Sequence, residues 1–128
     1  MSDASAIVEF LLRTPRADAF ERVMADAHAD VHVPALCDVE VASALRRMWM
    51  SRVLSERRRN EALADYVDLP LSRHGHLAVL PRVLDLGGNF SAYDGVYVAL
   101  AEALGAHLVT ADERLGRAVR AHTGVGLA

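Results

Sequence analysis

The sequence predicts an α/β protein, a parallel sheet with helices packed on both of its faces. Three observations lead there. Short strand-like runs such as Val31-His32-Val33 and His107-Leu108-Val109-Thr110 alternate with longer stretches of helical periodicity. No repeat, linker or low-complexity segment breaks the alternation, so residues 1–128 are expected to form a single domain. Acids fall at or near the ends of the strand-like runs, where open α/β sheets bind their ligands.

Composition narrows the chemistry. With 52% hydrophobic residues the 128-residue chain can bury a core, and a net charge of −3 offers polyanions no general attraction. All 14 basic residues are Arg. The absence of Lys excludes a Walker A phosphate loop and a Schiff-base enzyme. Cys37 is the single cysteine, so neither an internal disulfide nor a cysteine-built zinc cluster is available. The apolar run from Ala6 to Leu12 is broken by Glu9 and lacks a basic leader, and so reads as neither signal peptide nor membrane span. A cytoplasmic protein without membrane attachment is the expectation.

Taken in order, Asp3 or Ser5 can cap an amphipathic helix from Ala4 to Leu12. Thr14-Pro15 restarts the chain, and Arg16 to Ala27 carries Phe20, Val23 and Met24 on one face of a second helix. Val31 to Val33 is a short strand ahead of Pro34. Leu36 to Arg52 is a strong helix whose broad face of Cys37, Val41, Ala44, Leu45, Met48 and Trp49 suits a core or a subunit contact. Glu40 lies at the border of that face.

A helix from Leu54 to Tyr66 follows, rich in Arg and Glu, and then an expected edge strand at Val67-Asp68-Leu69-Pro70-Leu71. His74 and His76 form an H-x-H pair without a third soft ligand nearby, and read as loop or helix-start histidines. Leu77 to Leu86 is a short helix ended by Gly87-Gly88-Asn89, a turn without the spacing of a dinucleotide loop. Ser91 caps the next helix, with Val96, Leu100, Ala103 and Leu104 as its apolar stripe and Gly105 as its C-cap. The strand His107–Thr110 leads to a last helix from Arg114 to His122, with Thr110-x-x-Glu113 as its expected capping box. Val125-Gly126-Leu127 can add an edge strand.

Four acids thus stand at or near strand ends: Asp3, Glu40, Asp94 and Asp112. Singly, each suits a helix end or a solvated border, since the helix dipole favours acids in the first turn. Brought together, they would repel one another unless a cation neutralised them. An oxygen-only set suits Mg²⁺, or Mn²⁺ in its place, rather than zinc.

The motifs around these acids carry a resemblance. D-A-S-A-I-V at Asp3, E-V-A-S-A-L-R-R at Glu40, Y-D-G-V-Y-V-A-L-A-E-A-L-G-A at Asp94 and L-V-T-A-D at Asp112 resemble the four acidic motifs of PIN domains. More narrowly, they are similar to those of the VapC toxins of bacterial type II toxin–antitoxin pairs. The resemblance spans essentially the whole chain. It implies a PIN-like fold, with a central parallel sheet of four to five short strands. It further implies a strand ahead of Asp3, where Met1 and Ser2 stand.

Functionally the resemblance implies a Mg²⁺-dependent endoribonuclease, homodimeric and silenced by a VapB-like antitoxin. By it, Asp3, Glu40, Asp94 and Asp112 are the catalytic, metal-binding acids, with Ser5 and Thr110 supporting the first and last of them. Arg46 and Arg47 are the candidates for contact with RNA phosphates, although their arginine-rich region also reads as a solvated, ion-paired face. Two further readings stand beside the enzyme. One is a catalytically weakened PIN module that acts by binding its antitoxin and regulating an operator. The other, a phosphoacceptor receiver domain, would want a lysine by its acids, and the chain has none.

Overall fold

The computed structural model describes residues 1–128. Its order is α1 (Ala4–Leu11), a 3₁₀ turn at Pro15–Ala17, α2 (Asp18–Ala25), β1 (Val31–Pro34), α3 (Leu36–Met50) and α4 (Glu56–Asp68). Then come β2 (Leu71–His74), a second 3₁₀ turn at Leu77–Val79, α5 (Leu80–Asp85), α6 (Ala92–Leu104) and α7 (Glu113–His122). None of the helices is long and apolar enough to cross a membrane.

The sheet is built from short parallel lanes. β1 pairs with β2, with Val31 opposite Leu71. On the other side of β1 the first residues of the chain enter the sheet: the Ser2 N–H donates to the His32 carbonyl at 2.9 Å. Met1 accepts from the Val109 N–H at 2.8 Å and Asp3 donates to the Val109 carbonyl at 3.0 Å, so Ser2 and Val109 form a parallel bridge. Leu108 bridges Leu127 in the same sense. Only β1 and β2 are long enough to be regular strands. The other lanes are one or two residues wide, and an α/β sheet of short parallel strands with Met1–Asp3 at its centre is the result.

Helices α1 to α4 pack together as one group and α5 packs on α6 as another. Ile7, Phe20, Val33, Val41, Tyr97, Val98, Leu108 and Val119 are wholly buried between helices and sheet. Where α5 meets α6, a Cβ on Gly95 would stand 3.2 Å from Val83 Cγ1, so glycine permits the close approach. Gly105 ends α6 in the left-handed conformation, φ 60°, which glycine adopts without the penalty of a side chain.

Three expectations need correction. Val67 and Asp68 continue α4 and are not strand; the strand begins after Pro70, at Leu71. Proline pushes the residue before it out of the helical region, and Leu69 is accordingly extended. The last helix is capped by Asp112, which accepts from the Arg114 and Leu115 N–H groups, and not by Thr110. Thr110 spends its hydroxyl elsewhere, as described below. His74, moreover, closes β2, and its Nε2 lies 2.8 Å from Nδ1 of His32 on β1. The pairing is across the sheet and not with His76.

Candidate active site

The four acids stand on four different elements. Asp3 follows the central lane and caps α1, accepting from the Ala6 N–H at 3.0 Å. The Ser5 hydroxyl donates to the same Oδ1 at 2.7 Å, and the Thr110 hydroxyl donates to Oδ2. Ser5 also accepts from the Ala111 N–H and Thr110 from the Asp112 N–H, each at 3.0 Å. These bonds knit the start of α1 to the loop that enters α7, so Asp3, though only 5% exposed, has its lone pairs largely satisfied. Ser5 and Thr110 both touch the first acid, and Thr110 links it to the last.

Asp94 lies in the first turn of α6, half-buried. The cap there is Ser91, which accepts from the Asp94 N–H at 3.1 Å. The reciprocal bond of a capping box, from the Ser91 N–H to the Asp94 carboxylate, does not form, so the carboxylate is not committed to the helix end. Glu40 lies one turn into α3, and its Oε1 is buried with no hydrogen-bond partner. An ionised oxygen so placed is costly unless something positive answers it.

Electrostatics tie the acids together. Burial pushes the Asp3 carboxyl above its ordinary range, against the pull of its hydrogen bonds, and Asp112 raises it further. Burial also raises Asp94, again with Asp112 adding to it and Ser91 and Arg114 opposing. Glu40 is raised by burial first, then by Asp94 and Asp3; Tyr97 and Arg47 work the other way. Each acid therefore feels at least one other. As they stand, no three His, Cys, Asp or Glu side chains are grouped so as to hold a metal ion. Like charges favour that spread.

The chemistry of the donors nevertheless fits a hard divalent cation: oxygen ligands only, mutual repulsion to be neutralised, and one buried carboxylate oxygen unused. A hollow lined by Ser5, Glu9, Glu40, Ser43 and Arg47 opens beside the site, and a second, lined by Ser5, Glu9, Arg16, Asp112 and Arg114, adjoins it. Arg47 donates to Ser43 at 3.0 Å, while Arg46 is exposed without a polar partner. Arg57, Arg58 and Arg59 pair with Glu56 and Glu61, the solvated ion-paired face that their spacing suggests.

Sequence reasoning missed three residues here. Arg16 reaches across to donate to the Ala111 carbonyl beside Asp112. Arg114 faces Asp94. Tyr97, wholly buried, brings its hydroxyl beside Glu40 and Cys37. Only Tyr97 left a trace in the sequence: it stands three residues after Asp94, on the same helical face.

Comparison with known proteins identifies the family. The description of the PIN domain matches residues 1–121. Ribonuclease VapC12 of Mycobacterium tuberculosis is 36% identical over 115 residues, covering 90% of this chain and 88% of that protein. Ribonuclease VapC9 of the same organism is 41% identical over 113 residues, 88% of this chain and 85% of that one. Among solved structures, M. tuberculosis VapC20, a sarcin-ricin loop cleaving toxin, superposes with a TM-score of 0.69 at 14% identity, over 91% of this chain and 92% of that chain. PAE2754 of Pyrobaculum aerophilum gives 0.66 at 20% identity, over 98% and 80%. With a family match across nearly its whole length and VapC relatives at this level of identity, the chain belongs to the PIN domain family, among its VapC-type members.

Proposed function

We infer that the protein is a divalent-metal-dependent endoribonuclease that acts as the toxin of a toxin–antitoxin pair. The observation that carries this reading is the buried, unpartnered Glu40 Oε1, on a carboxyl raised by burial and then by Asp94 and Asp3, both of which Asp112 raises in turn. The VapC ribonucleases to which the chain is similar supply the substrate class.

Asp3, Glu40, Asp94 and Asp112 would hold Mg²⁺, with Mn²⁺ as a substitute. Bound there, the cation would supply Lewis-acid stabilisation of phosphodiester oxygens and a water of lowered pKa. The chain's own residues do the rest. Ser5 and Thr110 fix both oxygens of Asp3, which leaves that carboxylate little freedom to turn. Asp112 is held by the α7 N-terminus and Asp94 by the first turn of α6. Arg47 and Arg16, each lining a hollow beside the acids, would meet RNA phosphates, with Arg46 next to Arg47 in the chain. A carboxylate of the cluster accepts the proton from the attacking water, since no histidine stands among the four acids.

The partners follow from the same likeness: RNA as substrate, a VapB-like antitoxin as inhibitor, and a second copy of the chain. The decisive test is cleavage of structured RNA by the purified protein with Mg²⁺, against an EDTA control. Cleavage only with the cation is expected; cleavage that survives thorough chelation would sink the metal assignment.

A further inference from the structure

The fold leaves two buried side-chain polar atoms without partners, and they belong to neighbours: Glu40 Oε1 and the Tyr97 hydroxyl. α3 presents Cys37 and Glu40 three residues apart, and α6 presents Asp94 and Tyr97 three residues apart, so each pair shares a helical face. The phenol hydroxyl comes near the Glu40 carboxylate and the Cys37 thiol without closing a hydrogen bond to either. Tyr97 is 1% exposed, so water does not serve its hydroxyl. A tyrosine so deep in a core normally finds a partner, because phenylalanine would fill the same volume without the desolvation cost.

Cys37 is a poor answer to that need. A thiol is a weak acceptor, and burial pushes this one up to about 11, so it offers no thiolate at neutral pH. Glu40 is the stronger acceptor, and its free oxygen is the one the hydroxyl lacks. We propose that Tyr97 is a positioning residue: its hydroxyl donates to the Glu40 carboxylate and holds it toward Asp94 and Asp3 for the divalent cation. This rests on the four-acid reading given above. One face of α6 would then deliver an acid to the cation and, one turn later, a support for the acid on the facing helix.

The experiment compares wild type, Tyr97→Phe and Asp94→Asn. Cation affinity is read from Mn²⁺ titration followed by paramagnetic resonance and from the rise in unfolding temperature with Mg²⁺; RNA cleavage is read as a function of Mg²⁺. Tyr97→Phe should weaken cation binding about 10- to 100-fold, the usual effect of losing a group that orients a ligand. Its cleavage rate should recover toward wild type at saturating Mg²⁺. Wild-type cation affinity in Tyr97→Phe would overturn the proposal, whether or not the variant is less stable, because a purely structural tyrosine would leave affinity alone.

Should Tyr97→Phe fail to fold, the wild-type protein carries the test. It has three tyrosines, and with ¹³Cζ labelling the Tyr97 resonance must shift on addition of Mg²⁺. A resonance that stays still while the cation binds would be equally fatal. Asp94→Asn separates the two ideas. If it binds cation as wild type does, the four-acid reading itself has failed; if it loses the cation while Tyr97→Phe keeps it, only the role of Tyr97 has.

Discussion

At the scale of single residues, Asp94 decides between a metal site and a set of helix ends. As a first-turn acid its replacement by Asn would cost about 0.3–1 kcal/mol through the helix dipole. As a member of the acidic cluster, raised by burial and by Asp112, it is a charge the fold carries at a cost. Asp94→Asn is therefore expected to be as stable as wild type in EDTA, or more so. Mg²⁺ at a hundredfold excess over its dissociation constant should stabilise wild type by about 2.7 kcal/mol and the variant far less. Thermal unfolding with and without the cation checks both. The pH dependence has a definite sign. A carboxyl whose pKa is raised in the folded state binds more protons there than in the unfolded chain, so its contribution to stability is present below its unfolded pKa and lost as pH rises through its folded one. The stability advantage of Asp94→Asn in chelator should thus be largest near neutral pH and vanish on acidification through the carboxylate range. Because both proteins share His32, whose pKa is lowered by burial and by His74, its opposing contribution cancels in the difference. Asp3, Glu40, Asp94 and Asp112 were legible as candidates because motif spacing carries them. The hydrogen bonds of Asp3 to Ser5 and Thr110 were legible only as adjacency, and the reach of Arg16 to Ala111 not at all, because it joins residues 95 positions apart.

At the scale of elements, α6 is the part whose two ends can be separated experimentally. Ser91 caps the end that bears Asp94, and Gly105 closes the other. Ser91→Ala should cost about 1 kcal/mol in denaturant unfolding, the usual loss for a helix cap, and should also weaken cation binding because it frees the turn that holds Asp94. Gly105→Ala should cost a comparable 1–2 kcal/mol or so, for forcing a side chain into the left-handed region, and leave cation affinity as it was. Equal effects of the two on affinity would show that α6 transmits any loss of stability to the site, and the local account would be wrong. The caps, the helical stripes and β1 were plain in the sequence, since each depends on neighbours within a turn or two. The edge strand was misplaced by a few residues because Val67-Asp68-Leu69 has the apolar alternation of a strand while α4, capped at Ser55, has hydrogen bonds enough to run through Asp68. Thr110 was read as a cap for a similar reason: local spacing permits it, and a bond to Asp3 across the sheet prevails.

At the scale of the whole molecule, the apolar surface is larger than one subunit uses. Cys37, Val41 and Leu45 of α3 are buried, but Trp49 is 37% exposed, Met50 59% and Val53 68%. Arg59 stacks over Trp49 at 4.2 Å and covers part of it. This region is expected to pair two copies of the chain or to receive an antitoxin helix. Sedimentation should report a dimer, and Met50→Arg should dissociate it without loss of the fold; a wild-type monomer at all concentrations would leave the antitoxin as the surface's partner.

The central lane of the sheet has a consequence for how the protein is made. Asp3 is polymerised more than a hundred residues before Val109 and Thr110, which bond to it. At about 5–20 residues per second that interval is roughly 5–20 s. Throughout it the nascent chain holds Asp3, Glu40 and then Asp94 while the central lane has a neighbour on the β1 side only. A chain stalled before Leu108 should therefore be without nuclease activity, however many of the acids it already contains, so translation itself withholds the activity until the lane at Leu108–Thr110 is made.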